Sequence, residues 1–137
     1  MCMSFLIRES EFKKQILYIR SLDKKLMQTD LSKIMTISAL EKEQKRVRNI
    51  LERSFICHDK DIVCIGDTFL MDDIPSKLMC TYTRKPAVKQ IIFWGDIFSV
   101  LRGDICNYIL GSAYGSIIEV DNKKTGVQRI IKIDKIT

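Results

Sequence analysis

From Glu9 to Phe55 the chain contains neither glycine nor proline, so the two strongest breakers of a helix are missing from more than a third of its length. Apolar residues recur there at spacings of three and four, first Phe12, Ile16, Ile19, Leu22 and Leu26, then Leu40, Val47, Ile50 and Leu51. That is the period of an amphipathic helix. The rhythm pauses between Gln28 and Ser38, where Thr29, Asp30, Ser32, Thr36 and Ser38 gather. Ser38 and Glu41 have the spacing of a capping box, which predicts that a second helix starts there. The stretch therefore reads as an antiparallel helical hairpin, with arms of about 20 residues and about 30 Å each.

Beyond Phe55 the period changes. Segments rich in β-branched and aromatic residues, at 62–70, 78–83, 90–94, 97–101, 116–120 and 126–133, read as strands. Asp72 to Ser76 and Asp121 to Gly126 read as turns, the second closing a hairpin, so the sheet is expected to be mainly antiparallel. Asp104 to Gly111 fits one short helix, with Asp104 as N-cap and Gly111 as C-terminal stop. The fold class is α+β. The expected organisation is a helical hairpin over residues 1–56 and a sheet domain over 57–137.

Composition limits what such a chain can do. With 137 residues, 46% hydrophobic and 29% charged, it has the makings of one domain or two small ones and is not disordered. Residues 11–53 hold eleven Lys or Arg against six Asp or Glu, a net +5 out of +6 for the whole chain. A solvated helix face and a basic arm facing nucleic acid or an acidic protein groove both account for that charge. The five cysteines, Cys2, Cys57, Cys64, Cys80 and Cys106, form no C-x-x-C pair, and His58 is the one histidine. Reduced thiols and no zinc site are expected. Met1 to Ile7 is apolar but short and lacks a basic leader, and no apolar run approaches a membrane span, so the expected location is the cytoplasm. There is no G-x-S-x-G context for a serine nucleophile, and no P-loop or G-x-G-x-x-G.

The segment from Asp104 to Val120, DICNYILGSAYGSIIEV, resembles the C-terminal domain of the Gre family of bacterial transcript-cleavage factors. Ile105, Ile109, Leu110, Gly111, Ile117 and Val120 occupy that domain's apolar and glycine positions. Thr125-Gly126 followed by Val127 to Ile133 matches its turn and last strand, and Ile65 to Leu70, IGDTFL, resembles its first strand. The resemblance is closest over residues 62–136. It implies an FKBP-like domain carrying a coiled-coil hairpin, with RNA polymerase as partner and docking through Arg102, Gly103, Asp104, Ile105 and Tyr108. The family's Ser-Pro before the short helix is Gly103-Asp104 here.

In the family, acidic residues at the hairpin tip help to hold a Mg²⁺ ion that activates water against the transcript, as a hard cation requires. The matching stretch here keeps Asp30 and Leu31 but has Lys33 where the second metal-holding carboxylate belongs. An ammonium there repels the cation. The first arm is also about two helical turns shorter than the family's, which leaves the tip about 10–15 Å short at the same docking. In this the chain is similar to the short-hairpin branch typified by the regulator of nucleoside diphosphate kinase. The expectation is a non-enzymatic transcription regulator that binds RNA polymerase at its secondary channel, with no cofactor or metal and with the basic hairpin able to meet nucleic acid. Two alternatives stay open. One is an active cleavage factor in which Asp30 works with Asp23 or Glu41. The other is an FKBP-like peptide binder or prolyl isomerase with a pocket lined by Tyr82, Phe93, Trp94, Phe98 and Tyr108.

Overall fold

The computed structural model describes residues 5–79, 88–93, 108–122 and 126–136. The element order is β1 (Phe5–Ile7), α1 (Glu9–Gln28), α2 (Ile34–Glu52), β2 (Ser54–Ile56), β3 (Thr68–Met71), β4 (Ile74–Met79), β5 (Gln90–Phe93), β6 (Ile117–Asn122) and β7 (Val127–Lys135). This is a mixed helix and sheet architecture, as the change of period predicts.

α1 has Glu9 and Glu11 in its first turn and Lys25 in its last, which complements the helix dipole. α2 starts at Ile34, four residues before the cap predicted at Ser38. The connection is tighter than the polar cluster suggests. The Asp30 carboxylate accepts from the Ser32 N–H at 3.0 Å, and the Lys33 N–H donates to the Asp30 carbonyl at 2.9 Å. This Asx turn reverses the chain within residues 29–33, so helical geometry resumes at once and Ser38 falls inside the helix. Across the pair, the Tyr18 hydroxyl donates to Glu43 at 3.0 Å. Asp23 accepts from Gln44 and, at 3.3 Å, from Arg48. Asp23 therefore ties one helix to the other. Leu22 and Val47 are buried, yet none of residues 23–46 is.

The sheet domain is a five-stranded sheet in the order β5-β4-β3-β7-β6. The β3–β4, β3–β7 and β6–β7 pairs are antiparallel; β4 and β5 are parallel. β6 and β7 do form a hairpin, with Asn122 paired to Val127, but Asp121 and Asn122, expected in the turn, belong to β6, and residues 123–125 lie outside the described residues. Two further boundaries shift. The 72–76 turn shrinks to Asp72 and Asp73, both in left-handed conformation at φ 49 and 64, so Ile74, Pro75 and Ser76 already belong to β4. A two-residue hairpin loop with positive φ at both positions matches the twist of its strands and needs no further residues. The 62–70 strand is broken at Gly66, so that Ile62 and Ile65 make isolated bridges and β3 begins at Thr68. Of the predicted helix at 104–111, Tyr108 and Ile109 are described and helical. The predicted strand at 97–101 lies outside the described residues.

β1 and β2 have no counterpart among the predicted strands. They form a parallel pair, Phe5 to Ser54 and Ile7 to Ile56, at the feet of the two helices. On its other side β1 meets residues 62–65, the Ile65 N–H donating to the Leu6 carbonyl at 2.8 Å. Phe5, Ile7 and Ile50 consequently share a core with Val63, Ile65, Phe69, Met71, Leu78, Ile109, Val120, Ile131 and Ile133. The helices reach that core through their base alone, with Ile50 buried and Phe12 half-buried against it.

Gly66 makes this join possible. Its φ is +102, and a Cβ there would lie 2.8 Å from the Cβ of Glu11 in α1. Gly66→Ala is therefore expected to cost roughly 2–4 kcal/mol through strain and overpacking. Gly115→Ala, at φ +87 with nothing within 4 Å, should cost about 1–2 kcal/mol, the left-handed penalty alone. Urea unfolding of the two variants side by side checks the difference.

Candidate functional site

The predicted site residues fall into two sets, and a third cluster joins the halves of the chain. At the tip, the connection between the helices exposes Asp30, Leu31 and Lys33 together. Thr29 finishes α1, its hydroxyl donating to the Lys25 carbonyl at 2.5 Å. Lys33 is the N-cap of α2 without a side-chain cap bond, and no acidic residue occupies that helix's first turn. The tip thus offers one carboxylate, already accepting a backbone bond, beside an ammonium. Asp23 is more than a helical turn away along α1 and engaged by Gln44 and Arg48. Among the described residues, no group of three or more His, Cys, Asp or Glu is placed to hold a metal ion.

Of the predicted docking residues, Arg102, Gly103, Asp104 and Ile105 lie outside the described residues. Tyr108 is half-buried against the core, and its carbonyl accepts from the Ser112 hydroxyl at 2.8 Å. Gly111 follows in left-handed conformation, φ +83, which is the usual end of a short helix. The aromatic pocket considered for a peptide binder cannot be built from the described side chains. Tyr82, Trp94 and Phe98 lie outside them, the Phe93 side chain does too, and Tyr108 packs on the core.

The third cluster was not singled out as a site by sequence. Asp67, just after Gly66, accepts from Arg8 Nε at 2.7 Å and Nη2 at 2.9 Å. It also accepts from the Tyr114 hydroxyl at 2.6 Å and the Cys64 N–H at 3.0 Å. Arg8, the residue between β1 and α1, spends its remaining donors on the carbonyls of Cys57, Asp59 and Ile62. All its guanidinium N–H groups are used, and the ion pair is 19% and 13% exposed. Asp67 holds the guanidinium charged well above the ordinary arginine value. Burial, then the bond to Asp67, raises the Tyr114 hydroxyl. The Cys64 thiol is pushed up to about 12 by burial and by its hydrogen bond to the Cys57 thiol. Both groups are therefore neutral at physiological pH, and Cys64 is a poor nucleophile. His58, beside half-buried Cys57, is exposed. The visible signal for this cluster was the Gly-Asp pair inside IGDTFL, where a turn residue meets a carboxylate.

No protein-family model and no curated relative matches the sequence. Among solved structures the chain is similar to the transcription factor Gfh1, at 13% identity over 99% of each chain with a TM-score of 0.35. It is also similar to GreA factor homolog 1 of Thermus thermophilus, at 12% identity over 98% of this chain and 99% of that one, TM-score 0.37. For Gfh1 of Thermus aquaticus the values are 10%, 96% and 97%, and 0.36. At these identities and scores the likeness assigns no residue a role. No helix among the described residues is long and apolar enough to cross a membrane.

Removing one partner of the Arg8–Asp67 pair strands a largely buried charge, so Asp67→Ala should cost about 3 kcal/mol. Tyr114→Phe should cost about 1–3 kcal/mol, the value of a hydrogen bond to a charged acceptor. The pH dependence follows from the same groups. The folded state raises both Tyr114 and Cys64, so their contribution is complete below the ordinary thiol value of 9.0 and is lost as pH climbs toward about 12. Denaturant unfolding at pH 7 and at pH 10.5 should show that loss in the parent chain and a smaller one in Tyr114→Phe and Cys64→Ala.

Proposed function

We propose that this protein is a non-enzymatic transcription regulator that binds RNA polymerase at its secondary channel. Its sheet domain, over 57–137, is FKBP-like and docks on the polymerase through the surface that includes Arg102, Gly103, Asp104, Ile105 and Tyr108. Within residues 1–56, α1 and α2 form a short coiled-coil arm that enters the channel without supplying a metal site. One observation carries the reading: residues 23–46 include no buried side chain, while the base of the helices is sealed into the core it shares with the five-stranded sheet. A hairpin free along its outer length is shaped to enter something else. The segment that carries the family resemblance agrees in its local structure, with a helix end at Tyr108 and Ile109, left-handed Gly111 and strand β6.

The tip argues for the regulator rather than the cleavage factor. The Mg²⁺ ion held at the family's hairpin tip needs two carboxylates facing it. Here an ammonium stands in place of one, and each unit charge at about 4 Å is worth about 4 kcal/mol at an effective dielectric of 20. Asp30 alone cannot offset that.

The test uses backtracked elongation complexes, Mg²⁺ and the full chain. No acceleration of 3′-fragment release over buffer is expected, together with slowed cleavage by a bona fide cleavage factor competing for the same site. Asp104→Arg should abolish the competition while the fold is retained. Robust cleavage that disappears in Asp30→Ala would establish the enzymatic alternative instead.

A further inference from the structure

The tip leaves more apolar surface in water than a turn between two helices requires. Met27 in the last turn of α1, Leu31 in the connection, and Ile34 and Met35 in the first turn of α2 are 87%, 85%, 74% and 89% exposed. They are contiguous around one chain reversal, and Lys24, Lys25 and Lys33 are exposed beside them. The one carboxylate of the connection, Asp30, accepts the Ser32 N–H. Isolated exposed apolar residues are ordinary, but four around one turn, with three exposed lysines against one carboxylate, mark a contact surface.

We infer that this tip is an apolar plug, and that it seats in a cleft of the polymerase that has an apolar floor and an acidic rim. The inference rests on the regulator reading and adds to it the chemistry of the tip contact. Its substance is that the tip supplies affinity, through Leu31, Met35 and the surrounding lysines, rather than chemistry. Three features select that occupant. The lysines call for an acidic rim, because a basic one would repel them. Apart from Leu17, the exposed large apolar residues of the two helices and their connection gather at the end of the pair instead of running along it, which suits a narrow cleft and not a membrane surface, where an amphipathic face lies flat. Two of the four are methionines, whose flexible side chains adapt to a groove of irregular shape.

Binding of the full chain to purified core RNA polymerase from its host, followed by fluorescence anisotropy, tests this. Leu31→Asp with Met35→Asp should weaken binding at least tenfold, and Lys33→Glu at least threefold. Both changes fall on exposed positions, and circular dichroism and the unfolding midpoint should match the parent. A photo-crosslinking residue at position 31 should label a polymerase subunit. If the parent binds but the Leu31→Asp, Met35→Asp chain binds within twofold of it, the plug is refuted and the regulator reading stands. If the parent does not bind at all, both fall. Tip-dependent binding to phosphatidylglycerol vesicles, or a dimer of the parent that Leu31→Asp dissociates, would assign the apolar tip to lipid or to a second copy and overturn the proposal.

Discussion

The bidentate pair between Arg8 and Asp67 is the interaction on which the arrangement of this protein turns. Arg8 stands where β1 gives way to α1, and Asp67 stands where the 62–65 segment turns into β3. By joining those two points the pair fixes the angle at which the helices leave the sheet. Tyr114 and the Cys64 N–H complete the coordination of the carboxylate, so that Oδ2 accepts three hydrogen bonds and Oδ1 accepts one. A partly buried ion pair offers modest net stability, because desolvation offsets most of the attraction. Its value lies in direction: five donors in a rigid fork accept one geometry and few others. The close approach of Gly66 to Glu11 belongs to the same junction.

From that fixed base outward, burial declines along the hairpin. Ile50 and Phe12 join the core, Leu22 and Val47 are buried farther out, and polar bonds such as Tyr18 to Glu43 and Asp23 to Gln44 and Arg48 tie the helices to each other. The Arg46 guanidinium in turn holds the Glu43 carboxyl below its ordinary range. Such contacts specify how the helices face each other but contribute little each. The outer part of the arm consequently depends on its Asx turn and on helix propensity, and it presents its apolar side chains to solvent.

The tip combines features that sequence and structure disclose separately. That Asp30 stands two residues from Lys33 is plain in the sequence. That Leu31, Ile34 and Met35 stand together in solvent is a matter of where the turn falls. Had α2 begun at Ser38, these residues would have lain in a longer loop with freedom to fold back on the arm. Starting at Ile34, the helix holds two of them in its first turn.

By itself the sequence determined the two helices, the change to a period of two after Phe55, the hairpin between β6 and β7, and the single carboxylate at the tip. Each of these is written in neighbouring residues, through hydrophobic spacing, breaker residues or charge, and needs no distant partner. Tertiary structure alone decided the β1–β2 pair, the break of the 62–70 segment at Gly66, and the role of Asp23 between the helices. Strands as short as Phe5–Ile7 carry too few residues to show a period, and they exist because the feet of two helices bring them together. The Arg8–Asp67 pair spans 59 residues of chain. No local pattern encodes such a contact, since the loop closure it needs is provided by everything folded between its ends.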